Sequence, residues 1–75
     1  PVRVSVSNTS GLAGIAHWIS TNPKYPMFKN MEKNHPLCLE IKEWVDKEYD
    51  EGRITVMSDE ELEEYIDNYL AKQNN

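Results

Sequence analysis

Pro36-Leu37-Cys38-Leu39-Glu40-Ile41-Lys42-Glu43-Trp44-Val45-Asp46-Lys47-Glu48-Tyr49-Asp50 is the stretch whose reading decides the fold. Leu37, Cys38, Ile41, Val45 and Tyr49 recur at three- and four-residue steps with Trp44 beside them, the period of a helix that buries one face. Glu40, Lys42, Glu43, Asp46, Lys47 and Glu48 cover the remainder, and Glu43 with Lys47 makes an i,i+4 pair worth a few tenths of a kcal/mol. Pro36 suits the first helical position, where the missing N–H is not needed, and Gly52, assisted by Arg53, supplies the stop.

Downstream, Ile54-Thr55-Val56-Met57 reads as a short extended stretch leading into Ser58-Asp59-Glu60-Glu61. Ser58 and Glu61 have the spacing of a capping box, and the acids suit the positive end of the helix dipole. Leu62, Tyr65, Ile66 and Tyr69 form the buried stripe of this last helix, with Leu70 beside it, and the tail from Gln73 to Asn75 is expected to fray.

Upstream, Val2, Val4 and Val6 alternate with Arg3, Ser5 and Ser7, the pattern of a half-buried strand. Asn8-Thr9-Ser10-Gly11 then opens onto a helix starting at Ser10 or Thr9 and running to about Ser20, with Leu12, Ile15, Ala16 and Ile19 on one face. Trp18 extends that face or anchors an interface. Gly14 lowers the helix's intrinsic stability and signals close approach by another backbone, weak packing, or both. Asn22-Pro23 ends the element. Residues 21–35 form a long connection whose Tyr25, Met27, Phe28 and Met31 are expected to pack down onto the helices or onto another part of a larger protein. The reading is mainly α: residues 1–75 form one small three-helix domain with a short N-terminal strand and, as an open option, a second short strand before the last helix.

A domain of this length buries only about 60% of the surface of its unfolded chain, so its stability is marginal. Cys38, flanked by Leu37 and Leu39, has no disulfide partner and reads as a small buried apolar residue, in keeping with a reducing cytoplasm. The sequence opens at Pro1 without an initiator methionine or a basic-then-apolar leader, and the expectation is a cut-out piece of a longer cytoplasmic protein. The longest nearly apolar run, Leu12 to Ile19, contains His17 and is too short for a membrane span.

Charge is unevenly shared. Residues 1–35 hold four basic side chains against one acidic, a balance of +3, and residues 36–75 hold four against twelve, a balance of −8. The acidic half repels phosphate backbones and argues against a nucleic-acid-binding role; the weakly basic half is the better place for an anionic ligand or an acidic partner. Glu60, Glu64 and Asp67 share a helical face, but without an accompanying histidine or calcium-loop spacing the acids read as capping and solvation, with no metal site. His17 reads as a partly buried, satisfied histidine and His35 as a loop residue. The serines lack any order of nucleophile, base and acid, so no catalytic residue is assigned. The Ser5–Gly11 loop has a better claim as an anion site at a helix N-terminus, with Thr9 and Ser10 hydroxyls adding to the backbone donors.

The order of elements resembles the segment that follows the catalytic barrel in the family of 2-isopropylmalate synthase, homocitrate synthase and Re-type citrate synthase. The matching parts are the strand entering the Ser10-Gly11 turn and its Ala/Ile helix, the Lys42-Glu43-Trp44-Val45-Asp46 helix, and the Ser58-Asp59-Glu60-Glu61-Leu62 helix start. Members of that family join the acetyl group of acetyl-CoA to a 2-oxo acid, as in amino-acid biosynthesis, with a divalent metal on a TIM barrel far larger than this chain. The resemblance implies a helical accessory subdomain, inactive alone, that packs on the parent's catalytic barrel and on a second subunit at a dimer interface. Metal and acetyl-CoA then belong to the parent, with no cofactor on this chain. Asn8, Thr9, Ser10 and Gly11 become one wall of a substrate site; Ser10 and Gly11 carry the family's turn, and Asn8-Thr9 stands where more basic or histidine-containing versions are found. Two other readings stay open: a free-standing helical interaction module presenting Trp18, Tyr25, Phe28 and Tyr65, or a small module binding an anion such as CoA at Ser5–Gly11.

Overall fold

The computed structural model describes residues 6–73, so residues 2–5 of the strand expected over Val2 to Ser7 and the tail at 74–75 lie outside the described residues. Helix α1 spans Gly11–Thr21, a 3₁₀ turn Pro26–Phe28, α2 Pro36–Asp50 and α3 Asp59–Gln73. The mainly helical reading holds. The two stretches expected to be extended meet at one antiparallel bridge, Val6 to Met57, with the Met57 N–H donating to the Val6 carbonyl at 2.8 Å.

Both ends of the α2–α3 corner follow from local chemistry. Gly52 takes φ +108°, its N–H donates to the Tyr49 carbonyl, and the Arg53 N–H donates to the Glu48 carbonyl. This is the paired bonding of a Schellman stop, which a side chain at Gly52 would strain. Ser58 and Glu61 exchange the expected capping-box bonds, Glu61 N–H to Ser58 Oγ at 3.1 Å and Ser58 N–H to Glu61 Oε1 at 3.0 Å. Sequence reasoning did not anticipate that Arg53 bridges these two devices. Its guanidinium grips Glu61 bidentately at 2.6 and 2.8 Å, reaches Glu48 at 3.4 Å, and donates to the carbonyls of Thr55 and Val56. The hydrogen bonds from Arg53, then that from Ser58, hold the Glu61 carboxyl down at about 2.

The core draws Ile15, Ala16, Trp18 and Ile19 from α1, Leu37, Cys38, Ile41 and Val45 from α2, Leu62 and Ile66 from α3, and Val6, Tyr25 and Met57 from the connections. Each fully buried Leu or Ile contributes about 1.5–3 kcal/mol against solvent exposure. Leu12, Trp44, Tyr49, Tyr65 and Tyr69 sit half-buried at its margin. Because α3 buries only two side chains, polar contacts complete its attachment. Asp59, Glu63 and Asp67, one helical turn apart, receive Trp18 Nε1 at 3.1 Å, Asn22 Nδ2 at 3.2 Å and Tyr25 Oη at 2.9 Å. Lys24 closes the row on Asp67 at 3.0 Å. Read from sequence as capping and solvation, these acids form a seam that holds α1 and its connector.

Several local expectations change. Ser10 stands before α1, but its Oγ turns back to accept the Ser7 N–H at 2.8 Å and makes no side-chain cap. Gly14 is crowded by Ser10 Cβ, 3.2 Å from where its own Cβ would stand, not by another element's backbone. The i,i+4 ion pair on α2 joins Lys42 to Asp46 at 2.7 Å instead of Glu43 to Lys47, among the described residues. In the connector Tyr25 is buried and Phe28 and Met31 are half-buried, whereas Met27 is 62% exposed.

Glu61 supplies a pH-dependent test. Its carboxyl is depressed in the folded chain relative to an unfolded value of about 4.3. Its contribution is therefore complete above about pH 5 and drains away as pH falls toward 2. Glu61→Gln, which keeps the capping geometry, is expected to lower the thermal midpoint by a few degrees at pH 7 and to flatten its acid-side decline, as followed by circular dichroism from pH 2 to 7. Gly52→Ala is expected to cost about 1–2 kcal/mol in denaturant unfolding through its positive φ.

Candidate functional site

The turn singled out by sequence, Asn8 to Gly11, enters α1 as a compact knot of short bonds. Ser7 Oγ lies 3.0 Å from Thr9 Oγ1 and accepts the Thr9 N–H at 3.3 Å, while the Ser10 N–H donates to the Ser7 carbonyl at 3.1 Å. Gly11 takes φ +68°, a conformation that suits a residue lacking Cβ. Asn8 and Thr9 are exposed and Ser10 and Gly11 half-buried, so the turn offers the Asn8 amide and the Thr9 hydroxyl outward on a braced backbone. Such an arrangement suits hydrogen bonding to a carboxylate or phosphate oxygen. It holds no nucleophile paired with a base.

A depression of about 620 Å³ lies in the connector, where residues 26–32 and 34–36 line an open bowl. Phe28 and His35 meet there edge to face with centroids 5.8 Å apart. His35, read from sequence as a loop residue, caps α2: its Nδ1 accepts the Leu37 N–H at 3.0 Å. In a neutral ring that bond places the proton on Nε2. Histidine is not among the side chains usually read as caps, so only the neighbouring Pro36 hinted at this role.

The remaining chemistry-bearing residues are mostly structural. His17 is exposed, not partly buried, and its carbonyl accepts the Thr21 hydroxyl at 2.9 Å. Cys38 is fully buried, and burial raises its thiol above the ordinary range. Trp18 and Tyr25, two of the four aromatics offered above as a partner surface, belong to the core; Phe28 and Tyr65 remain half-buried. Among the described residues no group of three or more His, Cys, Asp or Glu side chains is placed to hold a metal ion. No helix among them is long and apolar enough to cross a membrane.

No protein-family model and no solved structure matches the chain. Among curated proteins it is 36% identical, over 72 residues and 96% of its length, to a citrate (Re)-synthase of Syntrophus aciditrophicus (strain SB), of which it covers 11%. It is 43% identical, over 63 residues and 84% of its length, to a citrate (Re)-synthase of Clostridium kluyveri, of which it covers 14%. Over these stretches the sequence is similar to synthases of this kind, and the chain spans only about a tenth to a seventh of the length of these relatives.

Two measurements probe these placements. His35→Ala is expected to cost about 1 kcal/mol in urea unfolding, with His35→Asn recovering most of it, as befits a cap. The Cys38 thiol is expected to resist a disulfide reagent in the native protein and to react promptly once denaturant is added, because burial shields it.

Proposed function

We propose that this chain is an accessory segment of an acetyl-CoA-dependent acyltransferase of the citrate (Re)-synthase kind, one that does not catalyse condensation by itself. The observation that carries the reading is an alignment running through 96% of the chain while taking up only 11% of a citrate (Re)-synthase. The described residues do not fit the divalent metal the earlier resemblance implies, so no step through a metal is assigned to them. In this reading metal and acetyl-CoA are held by the parent's catalytic barrel, and the segment packs against that barrel and a second subunit.

Exposed apolar side chains support a packing role. Ile54 is 92% exposed and Val56 54%, both on the connection before α3, and leaving such groups in water is unfavourable by roughly 25 cal/mol per Å². Asn8 and Thr9, exposed on the braced turn, supply hydrogen bonds at one wall of the substrate site, with Ser10 and Gly11 setting the backbone that presents them.

The isolated chain, supplied with acetyl-CoA, a divalent metal and oxaloacetate, is expected to release no free CoA above background; turnover would contradict the reading. In a full-length parent carrying this segment, Asn8→Ala and Thr9→Val are expected to raise KM for the 2-oxo acid about 2–10-fold, the value of one lost hydrogen bond each. An unchanged KM would remove the turn from the substrate site. Ile54→Asp with Val56→Asp is expected to shift the parent toward monomer in sedimentation, and an undisturbed dimer would dismiss the packing role.

A further inference from the structure

An aromatic pair bridges α2 and α3 outside the core. Trp44 and Tyr65 stack with centroids 4.8 Å apart and planes inclined by 20°, both half-buried, and Tyr65 Oη donates to Glu40 at 3.2 Å. Clefts open on both flanks of the stack. One of about 310 Å³ is lined by Glu40, Glu43, Trp44, Lys47 and Tyr65, and one of about 280 Å³ by Trp44, Glu61, Glu64, Tyr65 and Asn68.

The carboxylates around the stack are not equivalent. Glu40 accepts from Tyr65, and Glu61 is committed to Arg53. Glu43 and Glu64, both exposed, hold no hydrogen bond or ion pair among the described residues. Each cleft therefore pairs an aromatic wall with one uncommitted carboxylate, and because the exposed Lys47 stands one turn from Glu43 in the first, the second, at Glu64, is the more negative. An aromatic face attracts a cation through its ring quadrupole, and a carboxylate at its edge adds a charge-assisted hydrogen bond. Guanidinium suits both together, since it is planar, weakly hydrated and forked, whereas ammonium is compact and strongly hydrated. Phosphate-bearing ligands are disfavoured in a half of the chain whose balance is −8.

We propose that this face docks a basic segment of a protein partner, an arginine side chain entering a cleft against Trp44 and Tyr65 with Glu43 or Glu64 bonding its guanidinium. The proposal rests on charge complementarity and on the stack, independently of the enzymatic reading above.

Capped heptapeptides alternating glycine with arginine, lysine or glutamate serve as probes, titrated into the ¹⁵N-labelled protein. The chain has two tryptophans, and the indole of Trp18, buried and bonded to Asp59, reports whether the core stays intact. With the arginine peptide the Trp44 indole resonance is expected to move saturably while that of Trp18 stays; the lysine peptide should bind about threefold more weakly, and the glutamate peptide should not bind. Glu43→Gln with Glu64→Gln should weaken arginine-peptide binding about fivefold or more, whereas Glu51→Gln, at the exposed end of α2, should not. A Trp44 resonance unmoved by the arginine peptide, or equal binding by the double variant, overturns the proposal. Movement of Trp44 with protein concentration alone would assign the face to a second copy of this chain and overturn it as well.

Discussion

Helix α3 is held less by what it buries than by where its carboxylates fall. With only Leu62 and Ile66 fully buried, it relies on Asp59, Glu63 and Asp67, spaced one turn apart, to receive donors from Trp18, Asn22, Lys24 and Tyr25. The donors come from consecutive turns of α1 and its connector, so the acid spacing sets the register of one element against the other. Tyr25 shows how closely the parts are matched. Burial, then its bond to Asp67, raises its phenol, while bonds from Lys24 and Tyr25 lower the Asp67 carboxyl. Both shifts stabilise the pairing of a neutral phenol with an ionised acid at neutral pH.

At the other end of α3 the same economy of charge appears. Arg53 links the Schellman stop of α2 to the capping box of α3, and its donation to the Thr55 and Val56 carbonyls occupies backbone acceptors in the stretch that bridges Val6 at Met57. Much of the connection between α2 and α3, residues 51–58, is thereby tied down by one side chain. Individual surface ion pairs are weak, but a bidentate arginine with further carbonyl acceptors escapes much of the entropic cost of ordering a long side chain.

Features whose partners lie close in sequence were legible. Pro36, Gly52 and the Ser58–Glu61 box signalled helix ends through backbone chemistry that needs no distant neighbour. The apolar stripe of α2 placed Leu37, Cys38, Ile41 and Val45 correctly because its period alone defines a face. The seam was not legible, since a carboxylate serving a donor 41 positions away looks the same in sequence as one serving water. His35 and Ser10 were misread for the converse reason: near-neighbour bonding chose the unexpected partner, the Leu37 N–H for one and the Ser7 N–H for the other. For the candidate site, the Asn8–Gly11 turn was visible as polar, capping-type residues ahead of a helix, but the internal bonding that leaves Asn8 and Thr9 facing outward depends on which hydroxyl points which way.

These contacts differ in their separation along the chain. Arg53 closes on Glu61 across 8 positions, whereas Trp18 and Asn22 close on α3 across 41. Loop closure makes the longer span costlier by about 1.4 kcal/mol of chain entropy. Chain entropy thus favours closure of the α2–α3 corner over closure of the seam that ties α1 to α3. The Asn8–Gly11 turn leads directly into α1, whose Trp18 is bonded to α3, so a ligand that required the turn in this conformation would favour the completed fold by mass action.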